Sequence, residues 1–199
     1  MAQTQVYTLE RFVEDSHDVY KASTDALSRA QGVAENLRRL LAVPDWIEER
    51  LNLPAEGGFG TYCLHQDTEY GHPQPGFTFL VHVTPARRQS GAGSTGAPHD
   101  HGPCFVVYGM YVGQTIQRKY RWTGADAQNH TPRMEEYVRF PQLEKETAFF
   151  LPGEIHSPMS TTEGPRSILV RVTSQDLAQV WRHRYSLQDG GAELIRTSD

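Results

Sequence analysis

The run Pro98-His99-Asp100-His101-Gly102 is the part of this chain best suited to chemistry. On an extended strand, residues two apart point to the same face, so His99 and His101 would present both imidazoles to one interior. Two nitrogens do not fix a metal ion. A third is offered by Pro152-Gly153-Glu154-Ile155-His156, in which a turn-forming Pro-Gly brings a histidine to the start of a strand. His65, His72, His82, His130 and His183 fall in no such pattern and are expected to be structural or exposed.

With these segments the sequence resembles the cupin superfamily, whose first motif is His-x-His followed by a Gly about a dozen residues on, and whose second is Gly-x-x-His. Here those are His99, His101 and Gly113, then Gly153 and His156. Most cupins add a carboxylate ligand shortly after the histidine pair. This chain has Cys104, Phe105 and Val106 there, with no acid between Asp100 and Asp126, which implies a neutral three-histidine centre. Three neutral imidazoles leave a divalent ion its full charge and open coordination positions, and so favour an anionic, bidentate substrate.

The chain as a whole resembles the thiol dioxygenases, the cysteine dioxygenase and 3-mercaptopropionate dioxygenase group. They share a helical N-terminal region, a three-histidine iron and a literal His-Asp-His. Asp45-Trp46, then Tyr62-Cys63-Leu64-His65-Gln66-Asp67, then the strand near Phe79 occur in the order those enzymes show, over roughly Leu37 to Thr173. The resemblance implies Fe(II), O2 as co-substrate and a small anionic substrate such as a thiol carboxylate. Three departures bear on the substrate. The Ser-x-His-x-Tyr run of cysteine dioxygenases is replaced by Leu169-Val170-Arg171-Val172-Thr173, the crosslinking cysteine position is Val106, and the carboxylate-anchoring arginine position is Leu64.

Arg171 then becomes a candidate for both catalysis and substrate binding. If its strand alternates, Leu169, Arg171 and Thr173 share a face, and the family comparison turns that face toward the pocket, where the guanidinium fork matches a carboxylate. The alternative is an outward Arg171 paired with a surface acid. Tyr108 is a candidate hydrogen-bond donor to bound oxygen or substrate, or else a packed wall residue. Tyr62 is a substrate-binding candidate by resemblance.

The elements that must carry these residues fall into two textures. From residue 1 to 54 the pattern is helical: Leu9, Phe12, Val13 and Tyr20 follow the cap candidate Thr8, and Leu27, Ala30, Ala34, Leu37 and Leu41 repeat the spacing. Pro44 would open a short helix carrying Trp46 and Ile47 that stops before Pro54. From 55 to 185 short segments rich in Val, Phe, Tyr and Thr predict a mainly β fold, a cupin (jelly-roll, double-stranded β-helix) barrel, in a single domain spanning 1–199. The clearest strands are Phe77–Thr84, Phe105–Val112, Gln114–Trp122, Thr147–Leu151 and Ser167–Thr173. Gln89–Ala97 reads as a loop at the lip of the site and not a phosphate cradle, since no Lys-Ser/Thr follows. Ser174–Tyr185 has near-helical spacing at Leu177, Val180 and Trp181, and 186–199 reads as a tail.

Bulk properties exclude other classes. The 199 residues carry a formal charge of -5, from 19 Lys+Arg against 24 Asp+Glu, with no basic run to follow a phosphate backbone or an anionic membrane. Cys63 and Cys104 are too few for a disulfide framework and are not spaced as a C-x-x-C pair. Met1–Ser16 lacks a signal peptide's apolar core, and no stretch reaches the roughly 20 apolar residues of a membrane span, so a cytoplasmic location is expected. The expected partners are a small molecule and O2, with a homodimer left open. Two functional alternatives also stand: a three-histidine cupin cleaving a carbon–carbon bond of a diketone or aromatic, and a metal-dependent isomerase, lyase or non-catalytic binding cupin.

Overall fold

The computed structural model describes residues 6–53, 60–70, 76–84, 96–125, 132–160, 166–187 and 192–195. Three helices come first: α1 (Leu9–Ala22), α2 (Ala26–Leu41) and α3 (Trp46–Leu51). Thr8 caps α1 as expected, its hydroxyl accepting from Arg11 N at 3.2 Å, and the Asp25 carboxylate caps α2 through Ser28 N at 2.8 Å. No helix among the described residues is long and apolar enough to cross a membrane.

Among the described residues ten strands follow: β1 (Gly60–Gln66), β2 (Thr78–Thr84), β3 (Val106–Val112), β4 (Thr115–Ala125), β5 (Pro132–Gln142), β6 (Thr147–Phe150), β7 (Ile155–Ser160), β8 (Ser167–Thr173), β9 (Arg182–Tyr185) and β10 (Ala192–Ile195). One sheet has the order β1-β2-β8-β3-β6. Its alternation sorts the side chains into two sets. Phe79, Val81, Val83, Val107, Ile168, Val170 and Val172 pack with Phe12, Leu37, Leu40, Leu41 and Ile47 of the helices. Val106, Tyr108, Ala148 and Phe150 form a separate cluster on the other face, inside the barrel. Gly109 lets α2 pack close against β3: a Cβ there would lie 2.7 Å from Leu41 Cδ1 and 2.8 Å from Leu37 Cδ2. Leu27, expected on the buried face of α2, is exposed.

The second sheet is built around β5-β4-β7, and the His-x-His segment extends it. His99 bridges both His156 of β7 and Arg184 of β9, and β9 pairs with β10. The amides and carbonyls of His99 and His156 exchange hydrogen bonds at 2.9 Å in each direction, and Tyr185 N donates to Pro98 O at 2.8 Å. Residues 98–101 therefore run as an extra strand between β7 and β9. The result is the mainly β, two-sheeted barrel with an N-terminal helical region that the strand signals predict.

Ser174–Tyr185, whose near-helical spacing left its type open, holds one 3-10 turn, Leu177–Gln179, capped by Asp176, and then β9. The expected tail contains β10, in register with β9 from Ala192↔Tyr185 to Ile195↔Arg182. Strands β1, β5, β9 and β10 were not among the expected ones. For β5 the reason is charge, since Arg121 with Glu135 and Glu136 with Arg139 hold an exposed hairpin that has no apolar alternation. Of the lip loop Gln89–Ala97, residues 89–95 lie outside the described residues, as do His72 and His130.

Candidate metal centre

The cross-strand pair His99–His156 explains how three histidines distant in sequence meet. Residues directly opposite on neighbouring strands point the same way, and His101 follows His99 by two. The ring centroids lie 4.6 Å apart for His99–His156, and 5.1 Å for both His99–His101 and His101–His156. One nitrogen from each ring lies within 4.8 Å of the other two, close enough for modest ring rotations to bring all three to a single ion. His101 and His156 are buried and His99 is half-buried.

The hydrogen bonds behind His156 fix which nitrogen is available. The carbonyl of Tyr108 can only accept, so the Gln142 atom 2.9 Å from it is the amide nitrogen, which also donates to Glu146 O. Gln142 Oε1 then accepts from Gln117 Nε2 at 3.0 Å, leaving Gln117 Oε1 facing His156 Nδ1 at 3.3 Å. That nitrogen must carry the proton, and Nε2 keeps its lone pair. His156 Nε2 is buried and has no hydrogen-bond partner among the described residues. In the same way, His99 Nδ1 donates to Ala97 O at 3.0 Å, which places the lone pair on Nε2. Burial first, then His99, Arg171 and Arg182, holds His101 well below the ordinary imidazole value, and burial followed by His99 and His101 does so for His156. Both rings are neutral at pH 7, the form that binds a cation. The donor set therefore fits a divalent metal. Replacing Gln117 by Leu is expected to weaken divalent-metal affinity by about 10- to 100-fold with all three ligands intact, as measured by competition with a metallochromic chelator.

The opposite face of the His-x-His strand is braced by Asp100. Its carboxylate accepts from Gly102 N at 2.8 Å, His183 N at 3.1 Å, His183 Nδ1 at 2.9 Å and the Tyr185 hydroxyl at 2.6 Å. Burial pushes this carboxyl up, but the hydrogen bonds led by Tyr185 outweigh it and hold Asp100 below the ordinary carboxylate value. His183 thus braces this strand from the side away from the cavity.

A cavity of about 440 Å³ opens beside His99 and is lined by both sheets. Arg171 and Tyr108 both line it, so Arg171 faces inward and not the outer surface. Tyr108 Oη is 3.3 Å from His101 Nε2, and its ring centroid lies 5.4 Å from that of His156. Tyr62 is placed elsewhere. It is opposite Val81, on the helix-facing side of the sheet, and packs against the helical core. The likeness that suggested it as a pocket residue does not carry through this strand.

His82, expected to be structural or exposed, instead lines the cavity from the inner face of β2, and two further polar lining residues, Arg182 and Arg184 on β9, escaped the sequence reading. The alternation Arg-His-Arg was the available signal, since it places two guanidiniums on one face of a strand. Cys104 sits outside the cavity with Leu177 and Val180, and its thiol is pushed up to about 11, mainly by burial.

No family model matches the chain, and no curated protein does. Solved structures similar to it include a conserved protein with a double-stranded β-helix domain from Klebsiella pneumoniae, at 13% identity over 74% of this chain and 85% of that one, with a TM-score of 0.37. The cupin domain of Cnp3 from Schizosaccharomyces pombe is 10% identical over 64% of this chain and 72% of that one, at 0.40. The DMSP lyase DddQ from Ruegeria pomeroyi is 16% identical over 62% of this chain and 50% of that one, at 0.35. At these values no residue role passes from them to this chain.

Proposed function

We propose that this chain is a non-haem Fe(II), O2-dependent dioxygenase of a small anionic substrate, with thiol carboxylates the leading class, and that His99, His101 and His156 hold the metal. The observation that carries the reading is His156 Nε2, a buried nitrogen with no hydrogen-bond partner among the described residues, held in its lone-pair form by Gln117 and turned toward two further imidazoles. An unsatisfied buried polar group costs about 1–3 kcal/mol, and a bound cation removes that cost. The chemistry that Fe(II) would supply is the addition of both atoms of O2 to the substrate, which takes a thiolate to a sulfinate with no external reductant.

The chain's own residues account for the rest. Arg171, 7% exposed and lining the cavity, is suited to take the substrate carboxylate through two parallel hydrogen bonds. The Tyr108 hydroxyl next to His101 is placed to donate to an anionic substrate atom. Val106 and Phe150 pack with Tyr108 and back the cavity wall with apolar surface.

Oxygen uptake by Fe(II)-loaded protein tests the reading against a panel of mercaptocarboxylates, diketones and hydroxylated aromatics. Uptake is expected with the mercaptocarboxylates, uptake confined to the other compounds would shift the assignment to carbon–carbon cleavage, and none with any compound would overturn it. Arg171→Ala is expected to raise KM about tenfold or more while the iron content stays near one per chain; an unchanged KM would remove Arg171 from the substrate site.

A further inference from the structure

The guanidiniums of the cavity stand on two walls and at two depths. Arg171 projects from β8 of the first sheet. Arg182 and Arg184 project from β9 of the second, on the same face as the metal-site histidines, because Arg184 pairs directly with His99. Arg171 and Arg182 are buried, at 7% and 3% exposure, whereas Arg184 is exposed at the rim. Residues two apart on a strand are separated by about 6.6 Å, so the rim position lies one short carbon arm beyond the buried one. None of the described residues that line the cavity is an acid, and the wall opposite β9 contributes another nitrogen base, His82.

We propose that the substrate is a diacid, whose first acidic group binds among the buried arginines beside the histidines and whose second, on an arm of two or three carbons, is held at the rim by Arg184. This rests on the metal-site reading above and deepens it by naming the substrate class. A compound with one acid fills the inner position only. A diacid fills both.

The test compares 2-mercaptoglutarate with 2-mercaptopentanoate, in which a methyl group replaces the distal carboxylate, by calorimetry on Zn(II)-loaded protein. The diacid is expected to bind about tenfold more tightly, the low end of what a charge-assisted hydrogen bond supplies at an exposed site. In Arg184→Gln the ratio of the two Kd values is expected to fall to near one, and Arg184→Lys should restore part of it. Equal affinities in the parent protein, or a preference that survives Arg184→Gln, would overturn the proposal. Because Zn(II) does no oxygen chemistry, the two readings fail separately. Equal affinities alongside intact Fe(II)-dependent oxygen uptake would sink the diacid assignment alone, and a tenfold ratio without uptake would sink the dioxygenase assignment alone.

Discussion

Replacing His156 by alanine is expected to reduce bound divalent metal from about one ion per chain to essentially none, because two imidazoles on one strand do not fix an ion. The loss should exceed that from Gln117→Leu, which leaves every ligand in place. It also opens a gap beside Phe150, whose ring stacks on His156 at 3.8 Å between centroids and 25° between planes, and it strands Gln117 Oε1 without its donor. Some stability will therefore be lost with the metal. The two effects separate if elemental analysis is paired with thermal unfolding in excess chelator, where the parent protein is itself metal-free. His99→Ala supplies the control, since His99 is only half-buried and its removal costs less packing. Both variants should lose the ion while retaining the strand signature in circular dichroism. A His156→Ala protein that keeps one tightly bound ion would remove this histidine from the ligand set.

Gly102→Val is expected to damage the fold and the site together. Gly102 has φ +58, a left-handed conformation that costs a β-branched residue about 1–3 kcal/mol. A Cβ there would also meet the carbonyl oxygen of Trp181, which is backbone and cannot rotate away; such overpacking costs about 1–3 kcal/mol more. The position couples the two halves of the site, because Gly102 N donates to Asp100 and Gly102 O accepts from Gly153 N at 3.1 Å, in the turn that delivers His156. Relief of the clash would have to move β9 or the His-x-His strand. The measured outcome should be a fall of several degrees or more in the unfolding midpoint together with weaker metal affinity. Unchanged values of both would mean that this turn is more compliant than its contacts imply.

The three clustered histidines were legible because their signal is local: His-x-His needs only the period of a strand, and Pro-Gly-x-x-His only a turn. The first sheet was legible for a similar reason, since one face packs on helices and the other on the barrel interior, so that Phe79-Leu80-Val81 and Ile168-Leu169-Val170 read as strands. Strand β9 was hidden by the charge on its cavity-facing side. Its inward face carries Arg182 and Arg184 in place of apolar residues, and the spacing of Leu177, Val180 and Trp181 before it suggested a helix. The amide chain from Gln142 through Gln117 to His156 joins three strands by tertiary contacts alone, and glutamines have no spacing that announces such a role. Tyr62 shows the opposite error. Its order in the sequence suggested a pocket residue, but its register opposite Val81 turns it toward the helices.

The proposed chemistry requires the three imidazoles to act as one metal site. X-ray absorption at the iron edge, on protein loaded anaerobically with Fe(II), measures this directly. It should show one ion per chain bound by three imidazole nitrogens, with the remaining positions filled by light oxygen donors that exchange when a thiol carboxylate is added. Iron that binds substoichiometrically, or a spectrum without imidazole scattering, would contradict it.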